Sequence, residues 1–353
     1  MPTTVVRGFG RRRGAAGPAT VLLAAVLALA ACSGSSSAKP SASSLSPAAT
    51  ESPSPSTSAR PTIERSLLSG RVGAPNGPVL VVKLDNTQAS NPWCGLRAAD
   101  VIYLEQVEGG LSRYMAVFSS QYPKSVGPVR SARISDIELL RQYDKVAFAY
   151  SGVQTKMLPV LQNAYLIDVS DDRGGLGYHR DFSRTAPDNL FGAPSVLLKR
   201  AGHSALARNV GFSFGDAVPA GGTPAATLST SYPATRVSFV WNAASRRWLA
   251  SMNGARAMAC ESGQLGGTTV IIQYVKVTNS IYHDFLGNYT PMSTSVGTGS
   301  ALILRNGMAW HATWSRPSAA SGTRWLVGGR DFPLAAGQVW VLLINRNTPA
   351  KIG

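Results

Sequence analysis

The spacing of apolar residues changes near residue 209, and this change constrains the fold more than any other feature of the sequence. Before it, β-branched runs at 79–84, 100–105, 113–118 and 145–150 alternate with segments such as Ile134, Ile137 and Leu140, where apolar residues recur every three positions. The runs indicate strands, and the three-residue spacing indicates one face of a helix. We therefore predict an N-terminal α/β domain over residues 63–208.

After residue 209 the apolar runs are strand-like, and glycine-rich turns separate them at 236–241, 247–251, 268–276, 300–305, 323–327 and 338–344. Asn306-Gly307 predicts a hairpin, because both residues tolerate positive φ. Residues 209–353 are therefore predicted to form a mainly antiparallel β domain. The expected class is α+β, with the α/β domain first and the β-rich domain second.

The N-terminus has the layout of a secretory signal peptide over residues 1–31. Arg7 and the arginines at 11–13 precede an apolar run at 19–29, which is too short for a comfortable membrane span. The run ends in Leu29-Ala30-Ala31-Cys32, which resembles the bacterial lipobox. We predict that Cys32 carries lipid and holds the protein on the outer face of the cytoplasmic membrane. The alternative is an ordinary signal peptide with a chance cysteine.

A segment of low complexity follows the lipobox. Residues 33–60 are mostly Ser, Pro, Ala and Thr. Such a composition buries too little apolar surface to offset the entropy of ordering the chain. We predict that residues 32–62 comprise the anchored cysteine and a disordered tether.

The formal net charge of the chain is +16. Two interpretations remain open. A basic surface could bind anionic partners, such as an envelope lipid or a cell-wall polymer. The favoured interpretation is that the surface is basic without a specific ligand. No nucleic-acid-binding motif is present, so we expect no nucleic-acid partner.

The chain has three cysteines. If lipid occupies Cys32, an even pair remains in an oxidising compartment, and we predict a disulfide between Cys94 and Cys260. The alternative is two independent buried thiols.

No strong catalytic signature is present. The sequence has neither a P-loop nor a Gly-x-Ser-x-Gly elbow, and its four histidines lack the spacing of metal ligands. We expect no cofactor and no metal. Asp168, Asp171 and Asp172 precede two glycines but miss the EF-hand pattern, so a solvated turn is favoured over a calcium site.

One polar region stands out between a predicted strand and a predicted helix. Arg130 and Arg133 flank the expected helix start, where backbone N–H groups favour an anion. Glu105 and Glu108 lie at the preceding strand end and turn. The arginines completing the candidate ligand site are Arg113 and Arg184. The alternative is a structural network, in which Arg130 or Arg133 pairs with Glu105, Glu108 or Asp136.

Several motifs resemble the YerB-like lipoprotein family, also called the domain of unknown function 3048 family. They are Cys94-Gly95-Leu96-Arg97-Ala98-Ala99-Asp100-Val101-Ile102-Tyr103, Val107-Glu108-Gly109-Gly110-Leu111-Ser112-Arg113, Val126-Gly127-Pro128-Val129-Arg130-Ser131-Ala132-Arg133 and, in the second half, Leu334-Ala335-Ala336-Gly337-Gln338-Val339-Trp340. The resemblance covers most of residues 66–345. It implies an extracytoplasmic lipoprotein in two parts and carries no settled activity.

Two functions follow as expectations. The first is a non-catalytic binding or assembly factor of the cell envelope, with an anionic ligand at Arg130 and Arg133. The alternative is an enzyme similar to the LytR-CpsA-Psr phosphotransferases, which attach glycopolymers to the cell wall. Pro128-Val129-Arg130 resembles part of their motif order, but Ser131 stands where that family has the second residue of an Arg-Asp pair.

Overall fold

The computed structural model describes residues 64–353. The predicted signal peptide, Cys32 and the predicted tether therefore lie outside the described residues. Contacts between Cα atoms group residues 60–353 into one compact unit. Within the described part, no helix combines the length and apolarity that a membrane crossing requires.

The first half of the described chain alternates short strands with helices. Its elements are β1 (Leu80–Asp85), β2 (Val101–Gln106), β3 (Ser112–Phe118), α1 (Ile134–Leu140), β4 (Ala147–Ala149), α2 (Leu158–Gln162), β5 (Ile167–Asp168), β6 (Tyr178–Arg180), β7 (Leu190–Gly192) and α3 (Pro194–Ala201). Single-turn 3-10 helices lie at Gln88–Ser90, Leu96–Ala98, Glu108–Gly110, Arg141–Tyr143, Thr155–Met157 and Asp171–Arg173.

The second half of the described chain consists of strands and turns. Its strands are β8 (Ser213–Phe214), β9 (Thr223–Pro224), β10 (Thr227–Tyr232), β11 (Thr235–Asn242), β12 (Arg247–Met252), β13 (Ala255–Arg256), β14 (Gly266–Gly267), β15 (Thr269–His283), β16 (Tyr289–Thr294), β17 (Gly297–Arg305), β18 (Met308–Arg316), β19 (Arg324–Val327), β20 (Arg330–Asp331), β21 (Pro333–Leu334), β22 (Val339–Asn345) and β23 (Lys351–Ile352).

One large mixed sheet contains strands from both halves. Its main path runs β20-β19-β18-β17-β15-β22-β2-β3-β1-β4-β5. Strand β22 lies between β2 and β15 and is parallel to both. Strand β3 is antiparallel to β1 and β2, whereas β1 and β4 are parallel. The carboxyl ends of β1, β2, β4 and β15 consequently lie at the same end of the sheet.

The large sheet has an apolar core on each face. On one face it packs against a second sheet, in the order β13-β12-β11-β10-β23, and the aromatic rings of Phe239 and Tyr114 contact Trp340 edge-on at centroid distances of 5.5 and 5.8 Å. The two aromatic contacts of Trp340 are edge-to-face pairs, which add about 0.5–1.5 kcal/mol each beyond the area they bury. On the other face of the large sheet, α1 contributes Leu139 and Leu140 to the core.

The predicted α+β class, with a mostly β C-terminal part, is confirmed. The four predicted strands in the first half match β1 to β4, and each end agrees within two residues. The sequence patterns did not predict β10, β16 or β18, because their polar and small residues give no continuous apolar run. The boundary between residues 208 and 209 stays a prediction, and strands from both sides of it share the large sheet.

The structure contains the predicted disulfide between Cys94 and Cys260, with Cα atoms 4.8 Å apart. It joins the segment before β2 to the turn after β13. Next to it, Trp93 N donates to Met258 O at 2.9 Å, and Cys260 N donates to Trp93 O at 3.0 Å. The bond therefore crosslinks two segments that backbone hydrogen bonds already hold together.

Candidate functional site

The carboxyl ends of β1 and β2 bring charged side chains next to one another. In the sheet register Arg113 of β3 pairs with Asp85 of β1 on one side and with Glu105 of β2 on the other. Lys83 lies two residues before Asp85 and therefore faces the same side of the sheet. Three strands and the loop before α1 thus converge on one polar cluster.

A fully buried lysine occupies the centre of this cluster. Lys83 Nζ donates to Asp136 Oδ1 at 2.6 Å and to Glu105 Oε1, and all three side chains are inaccessible to solvent. Burial lowers the pKa of Lys83 to about 8, although Asp136 acts in the opposite direction. Asp136 was predicted only as part of the structural alternative, and Lys83 was not among the predicted site residues. The available signal was a lysine inside an otherwise apolar buried strand.

The start of α1 already carries a carboxylate of its own. Asp136 Oδ2 accepts a hydrogen bond from Arg133 N at 2.6 Å. The sequence analysis expected the N–H groups here to favour an external anion. Asp136 takes that role, because it lies in the first turn and its side chain reaches back to the backbone.

Two arginines share one buried carboxylate beside the lysine. Arg113 Nη1 lies 2.7 Å from Asp85 Oδ1, and Arg130 Nε lies 2.8 Å from Asp85 Oδ2. Burial raises the pKa of Asp85, although both guanidinium groups oppose that shift. Burial disfavours the charged form of Arg113 as well, and it therefore lowers the pKa of that arginine to about 10.

Arg130 keeps part of its guanidinium available to solvent. Its side chain is 22% exposed, and within residues 64–353 its Nη1 and Nη2 atoms form no hydrogen bond. Arg130 Nε lies 2.8 Å from Asp85 Oδ2, but the two atoms do not form a hydrogen bond. Two N–H-bearing nitrogens are therefore free to bind an acceptor.

Arg133 pairs with the second predicted carboxylate. Arg133 Nε donates to Glu108 Oε2 at 2.7 Å, and Nη1 donates to Ala132 O at 3.0 Å. Glu108 Oε1 accepts from the Thr290 hydroxyl of β16. Burial alone would raise the pKa of Glu108, but Arg133 and Thr290 bring it below its ordinary value.

Arg133 and Glu108 line an open cleft of about 520 Å³. Its walls are segments that follow the carboxyl ends of β2, β4 and β15, together with Ser131 from the loop before α1. In α/β sheets, ligands bind preferentially at such strand ends. The remaining lining residues are Gly152, Val153, Gln154, Thr155, Lys156, His283, Asp284 and Phe285.

The six predicted site residues lie in three places: the arginine cluster, the buried interior behind it, and the surface beside the disulfide. Arg113 lies close enough to both Arg130 and Arg133 for each to lower its pKa, so these three belong to one cluster with Glu108. Glu105 is fully buried against Lys83, behind the surface. Arg184 lies apart: its Nη2 donates to Pro92 O at 2.8 Å and to Cys260 Sγ at 3.6 Å, beside the disulfide.

The pairing of Arg133 with Glu108 is one that the structural alternative had named. Asp85 was not among the carboxylates named there, yet it takes both Arg113 and Arg130. Among residues 64–353, no three His, Cys, Asp or Glu side chains are grouped as metal ligands would be. Arg130 and Arg133 are the arginines of the cluster whose side chains reach solvent most, at 22% and 16% exposure.

Three comparisons relate the chain to known proteins. Residues 68–207 match the model described as "Protein of unknown function (DUF3048) N-terminal domain", and residues 227–341 match the corresponding C-terminal domain. The chain is 33% identical over 126 residues to "Putative lipoprotein YerB" of Bacillus subtilis (strain 168), an alignment covering 35% of this chain and 37% of that protein.

The fold has a counterpart among solved structures. The crystal structure of YerB protein from Bacillus subtilis superimposes with a TM-score of 0.69 and 18% sequence identity, covering 82% of this chain and 99% of that one. The two family models together span most of the described residues, in the order that the family requires. The chain is a member of the DUF3048 protein family, to which YerB-like lipoproteins belong.

Proposed function

We propose that this protein is a lipid-anchored, extracytoplasmic component of the cell envelope. Two observations support the anchor: the lipobox-like ending at Cys32, and the similarity to the Bacillus protein described as a putative lipoprotein. Its proposed location is the outer face of the cytoplasmic membrane.

Its proposed role is to bind an anionic envelope molecule without catalysing a reaction. The observation that supports this most directly is the partly exposed guanidinium of Arg130, whose Nη1 and Nη2 atoms form no hydrogen bond among the described residues. Guanidinium groups bind phosphate and carboxylate oxygens through paired hydrogen bonds. Arg133 and Lys156, which line the adjacent cleft, add positive charge.

Residues 60–353 are a suitable form of the protein for this test. They form one compact unit that contains both disulfide cysteines. The crystallised Bacillus chain matches 82% of this chain over 99% of its own length. The matching part of the Bacillus protein therefore folds on its own, and we expect residues 60–353 of this protein to do so as well.

Calorimetric titration of residues 60–353 with glycerol phosphate and with poly(glycerol phosphate) tests the proposal. We expect binding that weakens at least tenfold in Arg130→Ala, with only a small fall in melting temperature, because Arg113 keeps its pairing with Asp85. Arg330→Ala is the matched control, since Arg330 is an exposed arginine on a distant edge strand. Absence of binding to both probes, or equal losses in the two variants, would refute the proposed site. A lower melting temperature with unchanged affinity would assign Arg130 to the structural network.

A further inference from the structure

The most exposed apolar side chains near the cleft lie at the end of β15 and in its connection to β16. Phe285 is 95% exposed, Ile281 81% and Leu286 72%. Water-exposed apolar side chains that cluster in this way mark surfaces that bind another molecule. We call residues 281–289 the hairpin tip.

The hairpin tip has a defined conformation that holds these side chains outward. Asp284 Oδ1 accepts hydrogen bonds from Leu286 N and Asn288 N, both at 2.9 Å, and Asp284 N donates to Asn288 O at 2.9 Å. Tyr282, between Ile281 and the turn, is buried in the core. The apolar side chains thus face solvent because the turn directs them there.

The hairpin tip is also joined to the cleft. Gln154 Nε2, from the segment after β4, donates to His283 O at 3.2 Å. Phe285 lines the same cleft as Arg133 and Lys156. One opening therefore combines Arg133, which is paired with Glu108, and Lys156, a cation without an ion pair in the described part of the chain, with an exposed apolar side chain on its rim. Asp284 also lies there.

We propose that the ligand of this cleft is an anionic lipid. Its phosphate would bind at Arg133 and Lys156, the two cations that line the cleft. Its hydrocarbon chain would cover Phe285 on the rim and the neighbouring exposed Leu286. The inference rests on the proposed anion binding and names the class of ligand. A cell-wall polymer presents hydroxyl and charged groups along its length, so it would leave the apolar rim in water. An amphiphile satisfies both surfaces at once, since burial of each methylene is favourable.

Calorimetry on residues 60–353 with three probes tests the inference. The first probe is a single-chain phosphatidylglycerol below its micellar concentration. The second is glycerol phosphate, which lacks the chain. The third is a single-chain phosphatidylcholine with the same chain. We expect the phosphatidylglycerol to bind at least tenfold more tightly than glycerol phosphate, a difference of about 1.4 kcal/mol, and more tightly than the phosphatidylcholine.

The double variant Phe285→Ser/Leu286→Ser separates the chain from the headgroup. It should lose the tenfold gain and keep the affinity for glycerol phosphate. Phe182→Ser is the matched control, because Phe182 is 89% exposed and does not line the cleft. This control should keep the gain.

The outcomes separate this inference from the proposed function. Equal affinities for glycerol phosphate and the single-chain phosphatidylglycerol would overturn the lipid and leave the anion site. No binding of either would overturn both. A gain that survives the double variant, or phosphatidylcholine bound as tightly as phosphatidylglycerol, would also overturn the lipid. Self-association would overturn it as well, if the double variant abolished that association and the hydrocarbon chain had no effect on affinity. A second copy of the protein would then cover the hairpin tip.

Discussion

Replacing Lys83 with methionine should destabilise the protein more than the loss of one surface ion pair. Methionine fills a similar volume but leaves Glu105 and Asp136 buried without their cation. Breaking a buried ion pair by removing one partner costs about 3–5 kcal/mol. For residues 60–353 the entropy of unfolding is about 600 cal/mol/K, at about 2.1 cal/mol/K per residue. We therefore expect the melting temperature at pH 7 to fall by roughly 5–8 °C.

The pH dependence of this loss identifies its cause. Protonation of a buried carboxylate removes the unpaired charge that the missing lysine leaves behind, so acid should relieve the loss. The difference in melting temperature between wild type and Lys83→Met should shrink from pH 7 towards pH 5. The triple variant Lys83→Met/Glu105→Gln/Asp136→Asn, which carries no charge at these positions, should recover at least half of the loss. Scanning calorimetry of residues 60–353 measures all three proteins. A Lys83→Met protein within about 1 kcal/mol of wild type at pH 7 would contradict the reasoning.

Three further predictions concern a carboxylate, the disulfide and the anchor. The pKa of Glu108 lies below its ordinary value of 4.5, so its pairing stabilises the fold above that pH and the contribution disappears as the pH falls through the folded-state pKa. The melting-temperature difference between wild type and Glu108→Gln should accordingly be largest above pH 4.5, and a pH-independent difference would contradict this. Replacing Cys94 and Cys260 with serine opens a closure of 166 residues and should cost about 5 kcal/mol in denaturant unfolding, whereas an unchanged midpoint would rule out that estimate. Labelled palmitate should enter wild-type protein but not Cys32→Ala, and equal labelling would disprove the anchor.

The sequence was sufficient to predict the strands around the candidate site. The runs that form β1 to β4 are apolar and β-branched, so their period and length indicated strands. The meeting of Arg113, Arg130 and Arg133 could be inferred because Arg130 and Arg133 flank a predicted strand–helix junction and Arg113 lies at the start of the strand before it. The disulfide was predictable because export and the expected lipidation of Cys32 left one pair of cysteines.

The centre of the cluster could not be predicted in the same way. A lone lysine in a strand normally marks a solvent-facing position, and only the packing of α1 over β1 makes Lys83 a buried residue. Asp85 was overlooked because its two arginines reach it from β3 and from the loop before α1. Periodicity identified the segment at 338–344 as a strand, but it carries no information about which strands lie on either side.

The position of β22 between β2 and β15 affects how the chain folds. Synthesis proceeds from the N-terminus, so β2 is made more than two hundred residues before the strand that pairs with its open edge. Until residues 339–345 emerge, β2 and β15 each present an unpaired edge of the kind that promotes association between chains. A nascent chain would thus remain dependent on its last strand, and a frameshift or stop codon near residue 335 would remove the structural support of a site formed by residues 83–136. Loss of function from such late truncations would be a folding defect, even though every arginine of the cluster would still be present.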